Sequence, residues 1–329
     1  MANIYFREAS DLVETVSLDS DETVLSGLLR SGVEIPYGCR TGVCQSCMMK
    51  CQDSEIPIEA QKGLSEAQKQ QGYFLSCCAK PKAPMVVGFA NLFKKEISTV
   101  LDKTMLSDDI LRLRVKKVIC YRPGQYMTLW KDKDTARTYS LASHPTSDDF
   151  IDFHVRVYPE GVFSPWARDT LAVGDEIELQ GPIGNCFYTQ ENKSQTLFLS
   201  GIGTGLAPLY GIARDALLSG HTGRIIVLIG SRTKNGIYYQ KEFKILQERY
   251  PQLEIKYSVA EVGSEAMALQ GHASDIYTTA KVLLPDMSGV RVFLCGADSF
   301  VKKMRKQTFL AGANMGDISS DAFLCFQKK

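Results

Sequence analysis

The stretch Glu34-Ile35-Pro36-Tyr37-Gly38-Cys39-Arg40-Thr41-Gly42-Val43-Cys44-Gln45-Ser46-Cys47 gathers three cysteines into one short loop, and Cys77 follows Cys47 after 29 intervening residues. The spacing C-x4-C-x2-C with a distant fourth thiol is the one that ligates a [2Fe-2S] cluster, here through Cys39, Cys44, Cys47 and Cys77. Such a loop wraps a compact anion with its backbone N–H groups turned inward, and Gly38 and Gly42 remove side chains that would obstruct it. A four-cysteine zinc site is the competing reading. It ordinarily shows two C-x2-C knuckles; Cys44 and Cys47 form one, whereas the adjacent Cys77 and Cys78 cannot form another.

Together with Phe74-Leu75-Ser76-Cys77, these residues resemble the plant-type ferredoxins. The resemblance implies a β-grasp domain and favours Cys77 over Cys78 as fourth ligand. Cys51 and Cys78 match no ligand of that family and read as small hydrophobes. Just upstream, Thr23 to Arg30 predicts a short helix with Leu25, Leu28 and Leu29 on its apolar face and Gly32 as the stop. The cysteine-dense region closes on Pro81-Lys82-Ala83-Pro84, and three segments follow from composition: 1–92, 93–192 and 193–329.

With 329 residues, 44% hydrophobic and 23% charged, the chain holds two or three ordinary cores. Its formal net charge of +1 leaves no field to hold a nucleic-acid backbone. The longest apolar runs, such as Ile225 to Ile229, are far shorter than the roughly 20 residues of a spanning helix. Met1 to Asp11 lacks the basic and apolar regions of a secretion signal, so a cytoplasmic location is expected. In such a compartment ten cysteines read as ligands, catalytic thiols or core residues rather than disulfides.

The second segment alternates, most clearly in Ile151-Asp152-Phe153-His154-Val155-Arg156-Val157, which predicts a half-buried strand of an antiparallel sheet or barrel. Arg137-Thr138-Tyr139-Ser140 offers a cation for a pyrophosphate, an aromatic wall for an isoalloxazine and a hydrogen-bond partner near its N5. In Gly161-Val162-Phe163-Ser164-Pro165-Trp166, Ser164 is expected to cap a helix that starts at Pro165, leaving free amides for a phosphate. An Arg and a Tyr on an ordinary strand, with a simple serine cap, is the plain alternative. The order Pro123-Gly124-Gln125-Tyr126, Arg137 to Ser140, Gly161 to Ser164 and Gly181-Pro182-Ile183-Gly184 is similar to that of the ferredoxin-NADP reductase superfamily, which implies an FAD-binding β-barrel.

From Ser194 onward, apolar strand-like runs alternate with helical stretches, as in an open parallel α/β sheet. Thr196-Leu197-Phe198-Leu199-Ser200 runs into Gly201-Ile202-Gly203-Thr204-Gly205-Leu206-Ala207-Pro208, whose glycines let the backbone approach a pyrophosphate while the helix start supplies amides. This G-x-G-x-G-x-A-P form resembles the pyridine-nucleotide lobe of the same superfamily. Cys295, before Gly296, ends a strand where such sheets place a ligand; the resemblance puts its thiol beside the reacting nicotinamide carbon, and a small buried residue is the alternative. Ala260-Glu261 stands where NADPH-using relatives carry Ser-Arg. An acid there repels a 2′-phosphate, whereas Arg232 and Lys234 attract one, so NADH is favoured over NADPH. Asp321-Ala322-Phe323 lies where related reductases carry an aromatic beside the flavin; Phe323 covers a ring face or merely packs on the core.

Hydride leaves a nicotinamide as an electron pair and a [2Fe-2S] cluster takes one electron, so a flavin between them is required. The whole chain resembles the single-polypeptide reductases of aromatic-ring dioxygenases and diiron monooxygenases. That implies a path from NADH through FAD and the cluster to a terminal oxygenase or other one-electron acceptor protein, with Cys295, Ser140 and Phe323 at the reacting centre. Similar proteins donate to a deoxysugar-forming dehydratase, and a redox sensor with a structural cluster is a third reading. His144, His154, His221 and His272 are scattered and read as surface or hydrogen-bonded histidines.

Overall fold

The computed structural model describes residues 2–7, 13–35, 37, 40–42, 45, 47–52, 54–89, 95–260 and 275–323. Gly38, Cys39, Cys44, Glu261 and His272 lie outside the described residues. The chain divides into two compact units, 1–94 and 95–329.

The first unit is a mixed sheet built from β1 (Asn3–Arg7), β2 (Val13–Ser17), β3 (Met48–Gln52), β4 (Tyr73–Leu75) and β5 (Met85–Phe89), with α1 (Val24–Arg30) and α2 (Glu66–Gln70). Its order is β2-β1-β5-β3-β4, and β1 and β5 are parallel. This is the expected β-grasp arrangement. Ile4 and Phe6 alternate onto the buried face opposite Met85 and Val87, and Val24, Leu25 and Leu28 of α1 complete that core. Thr23 caps α1 by accepting the Ser26 amide at 3.2 Å, and Gly32, at φ +88°, turns the chain away after it.

The second unit begins with an antiparallel sheet: β6 (Lys95–Ser107), β7 (Ile110–Lys116), β8 (Tyr126–Asp132), β9 (Thr135–Ser140), β10 (Phe150–Arg156) and β11 (Glu176–Ile183), with α3 (Phe163–Asp169). The order is β10-β7-β6-β11-β8-β9. A bridge from Leu141 to Phe153 joins the two outer strands, so the sheet closes as a barrel around Leu111, Leu113, Met127, Leu129, Phe153 and Leu179.

The parallel sheet follows: β12 (Leu197–Ile202), α4 (Leu206–Leu218), β13 (Ile225–Ser231), α5 (Gln240–Arg249), β14 (Leu253–Val259), α6 (Ile276–Leu283), β15 (Arg291–Ala297), α7 (Asp298–Leu310) and β16 (Ile318–Phe323). Its order is β14-β13-β12-β15-β16. Side chains alternate between two cores. Leu199, Val227 and Phe293 meet Leu209 and Phe243 on one face, and Phe198, Ile226 and Leu294 meet Ala280 and Met304 on the other. Strand order reverses between β12 and β15, which opens a crevice at their carboxyl ends. Phe323, expected as a flavin cover or an apolar tail, ends the fifth parallel strand of this sheet.

One expectation is corrected. β10 is buried on both faces rather than half-buried. Ile151, Phe153 and Val155 fill the barrel, while Asp152 and His154 on the other face are covered by Tyr238 and Tyr239, just before α5. The Tyr238 hydroxyl meets His154 Nδ1 at 3.0 Å, and Tyr239 donates to Asp152 Oδ2 at 3.2 Å. The polar alternation therefore marks an internal seam between barrel and parallel sheet.

Burial and the nearby Arg112 and Arg114 push His154 down to about 3, against 6.5 when free. Neutral burial of His154 thus contributes stability that is fully present above about pH 6.5 and is lost as pH falls toward about 3. His154→Gln is expected to destabilise the second unit at neutral pH. At about pH 4.5 the loss should shrink by on the order of 1–3 kcal/mol, read from urea midpoints at the two pH values; an equal loss at both would contradict a neutral histidine.

Candidate functional site

In the first unit, Cys47 and Cys77 are both buried and their thiols meet. Cys47 reaches this place because β3 starts directly after it. Cys77 follows β4, which pairs with β3, and Ser76 donates from both its amide (3.1 Å) and its hydroxyl (2.9 Å) to the Cys47 carbonyl. The loop before Cys47 has left-handed backbone at Arg40 (φ +55°), Gly42 (φ +83°) and Gln45 (φ +56°). A Cβ on Gly42 would stand 3.0 Å from Cys78 Sγ, so the glycine is required twice over. Burial pushes both thiols above the ordinary cysteine range; bound iron is what keeps such groups as thiolates. Two converging thiols under a left-handed loop fit an iron-sulfur cluster. Cys78 Sγ lies 3.6 Å from Cys77 Sγ, so it is a neighbour of the pocket.

In the barrel, Arg137 is exposed and its guanidinium bonds only the adjacent Ala136 carbonyl among the described residues (2.7 Å). Tyr139, on the same face of β9, is largely enclosed and lies 5.6 Å from the Phe163 ring. That contact brings Gly161 and the exposed Val162 to the same corner. Ser164 is corrected: α3 starts at Phe163, and the Ser164 hydroxyl accepts the Tyr158 amide at 3.0 Å instead of capping the helix. The Gly161 amide donates to the Tyr158 carbonyl at 2.9 Å, so both residues tighten one turn. An exposed cation, an enclosed aromatic wall and this tight turn together fit a flavin dinucleotide.

In the parallel sheet, Gly201, next to last in β12, lies opposite Cys295 of β15. A Cβ on Gly205 would overlap the Cys295 carbonyl oxygen, and one on Gly201 would stand 2.8 Å from it. Gly203, at φ +56°, and Thr204 are the partly open residues of the turn, whereas Ala207 and Pro208 are buried within α4. Gly296, at φ +138°, folds back against Ile202. Arg232 is exposed one residue past β13. The Cys295 thiol is fully buried, 3.8 Å from Cys186 Sγ, and burial drives it well above the usual thiol range.

The reading from sequence missed one carboxylate. Ser140, on the opposite side of the pleat from Tyr139, donates to Asp321 Oδ2 at 2.7 Å. Asp321 pairs in register with Cys295, so the barrel and the parallel sheet meet at the crevice. Burial lifts the Asp321 carboxyl to about 6, with the Ser140 hydrogen bond opposing. Its 181-residue separation from Ser140 left no local signal.

Family comparisons match three consecutive parts of the chain: a "2Fe-2S iron-sulfur cluster binding domain" at 10–82, an "oxidoreductase FAD-binding domain" at 98–188 and an "oxidoreductase NAD-binding domain" at 198–306. The reductase component of a Pseudomonas putida naphthalene 1,2-dioxygenase system is 32% identical over 321 residues, covering 94% of this chain and 95% of that protein. The reductase component of phenol 2-monooxygenase from Pseudomonas sp. strain CF600 is 27% identical, covering 86% and 84%. An Amycolatopsis cytochrome P450 reductase structure superposes with a TM-score of 0.67 at 25% identity, over 98% of this chain and 99% of that one. Among the described residues no helix is long and apolar enough to cross a membrane. With cluster, flavin and nucleotide modules in this order and a relative at that identity along its length, the chain belongs to the ferredoxin–NAD(P)+ reductase-type oxidoreductases that fuse a 2Fe-2S domain to an FAD- and NAD-binding module, a family that includes reductase components of oxygenase systems.

Proposed function

We propose that this chain is the NADH-dependent reductase component of a cytoplasmic multicomponent oxygenase acting on an aromatic or hydrocarbon substrate, and that it delivers electrons singly to the terminal oxygenase. The observation that carries this reading is the pair of buried, converging thiols of Cys47 and Cys77, a cluster site in the same chain as the flavin and nucleotide modules. The relatives' roles support the choice of acceptor. Bound FAD supplies the exchange between a hydride pair and single electrons, and the [2Fe-2S] cluster supplies the one-electron outlet.

In this reading the functional partition is 1–92, 93–192 and 193–329. Cys39, Cys44, Cys47 and Cys77 hold the cluster. Arg137 neutralises the flavin pyrophosphate, Tyr139 walls the isoalloxazine, and Gly161, Val162 and Ser164 shape the neighbouring turn. Gly201, Gly203, Thr204 and Gly205 present backbone to the nucleotide. Buried Ala207 and Pro208 set the start of α4, while Gly296 and Cys295 floor the crevice beside the nicotinamide. Arg232 lies on the adenosine side, and the acidic Glu261 turns the preference from NADPH toward NADH. Phe323, at the end of β16, covers the flavin until nicotinamide arrives. Asp321 Oδ2 would accept the Ser140 hydroxyl proton, and Ser140 Oγ would take up in its place the proton that reduced FAD gives off as it loses electrons.

Cys47→Ala is expected to abolish electron export to a one-electron protein acceptor while NADH still bleaches the flavin absorbance. Intact export in that variant would count against the wire. Arg137→Ala should release FAD about tenfold more readily, measured by equilibrium dialysis of the holoprotein.

The Asp321 carboxyl titrates near 6, so export should fall as pH drops through about 6 and the carboxyl, already protonated, can no longer take up a proton. Asp321→Asn should lower the rate about a hundredfold and remove that inflection. Stopped-flow reduction of the acceptor between about pH 5 and about pH 8 reads both effects; a retained inflection in the variant would assign it to another group.

A further inference from the structure

Gly203 has a neighbour that the glycine pattern does not announce. A Cβ built on it would stand 3.4 Å from Nη2 of Arg156, the last residue of β10. The barrel therefore aims a guanidinium at the turn of the parallel sheet. Its backbone is rigid, because the two residues before it on the same face, Asp152 and His154, are locked in the seam with Tyr238 and Tyr239.

From the other side Arg156 is engaged by Asp109, in the turn between β6 and β7, with Nε 3.3 Å from Oδ2. The approach is oblique: Arg156 Nε is enclosed yet donates no hydrogen bond among the described residues. Asp109 is itself well fixed. Its carbonyl accepts the Val157 amide at 2.8 Å, and Ser107 Oγ donates to its Oδ1 at 3.2 Å. The Asp109 side chain is 50% exposed and that of Arg156 35%, so the pair stands at an edge open to ligand.

We propose that Asp109 and Arg156 form a counter-ion switch that sets affinity for the pyridine dinucleotide: Arg156 leaves Asp109 to bind the diphosphate held at Gly203 to Gly205. The inference rests on reading that turn as the diphosphate site. A guanidinium offers a planar fork that matches phosphate oxygens in pairs, which the misaligned Asp109 contact does not use. A partly exposed ion pair is weak and easily exchanged, and a diphosphate brings two charges against one carboxylate. Asp109 then acts as an internal competitor that weakens binding and favours release of spent nucleotide.

Calorimetric titration of NAD+ onto the oxidised holoprotein tests the switch, with flavin and cluster absorbance as the check on folding. Arg156→Gln should raise Kd about tenfold and Arg156→Lys by less. Asp109→Asn should lower Kd about threefold, and should have no effect in the Arg156→Gln background. ADP-ribose should follow NAD+ through the series, whereas adenosine, which lacks the diphosphate, should bind all variants alike. Unchanged affinity in Asp109→Asn, or tightening that persists without Arg156, would overturn the proposal. Thr204→Asp separates the two layers: if it weakens NAD+ while the Arg156 and Asp109 variants leave the affinity unchanged, the turn reading stands and the switch falls. If none of the variants weakens NAD+, both fall. Should Arg156→Gln lose its cofactors, the tightening expected in Asp109→Asn decides alone.

Discussion

The carbonyl oxygen of Cys295 leaves room only for hydrogen atoms at Gly201 and Gly205. β12 and β15 lie side by side and parallel, and the chain leaving β12 has to cross the end of β15 at once to start α4. Any side chain at Gly205 would push α4 away from the sheet. Its Leu206 and Leu209 would then leave the core they share with Phe293 and Cys295. The same closeness brings the start of α4 to the point where strand order reverses, which is where an open parallel sheet receives its ligand. β16 adds to the far edge of β15 with Asp321 opposite Cys295. One backbone contact thus fixes the turn, the crevice and the position of the carboxylate that reaches Ser140.

That reach also depends on how barrel and parallel sheet are held together. Asp152, nearly free of solvent, accepts from Arg114 Nε at 3.1 Å and from Tyr239 at 3.2 Å, and burial lifts its carboxyl to about 6 despite both arginines nearby. Ion pairs enclosed in this way add little net stability, since desolvation offsets their attraction; their value lies in admitting one arrangement. Tyr239 adopts φ +62°, a left-handed conformation unusual for a bulky residue, and its ring packs 4.6 Å from His154. The seam therefore tolerates local strain to keep β10 against the start of α5. β10 is also the strand that ends in Arg156, so the seam that holds β10 also holds the guanidinium near Gly203.

Legibility in the sequence followed the range of the chemistry. The cluster loop was readable because three cysteines, two glycines and their spacing all sit within one short stretch, and the fold then needed only to deliver Cys77 through the β3–β4 pairing. The parallel sheet was readable because its strands are apolar on both faces and bounded by turns. β10 was misread for a related reason: alternation reports which residues are polar, and here the polar face is buried against tyrosines from another part of the chain. Ser164-Pro165 carries the composition of a helix start, yet the Tyr158 amide claims the hydroxyl first. Asp321 and Asp109 had no local signature, since each acquires meaning only from a partner brought close by the fold, Ser140 and Arg156 respectively.

The crevice also separates two chemical tasks that a sequence motif would merge. Cys295 and Asp321 are register partners, but burial acts on them in different measure. The thiol is driven well above its usual range, with Cys186 Sγ at 3.8 Å and the Asp321 carboxylate adding to the cost of ionisation. A thiol in that state neither donates nor accepts protons near neutral pH and serves as a small, polarisable wall. The Asp321 carboxyl, lifted only to about 6 because Ser140 donates to it, remains able to change charge in the working range. In the proposed function, proton movement therefore belongs to the carboxyl of β16, and the cysteine of β15 contributes shape. The pairing is self-consistent: an ionised thiol beside Asp321 would raise the carboxyl further and disable it, so a Cys295 that stays neutral is a condition for an Asp321 that titrates.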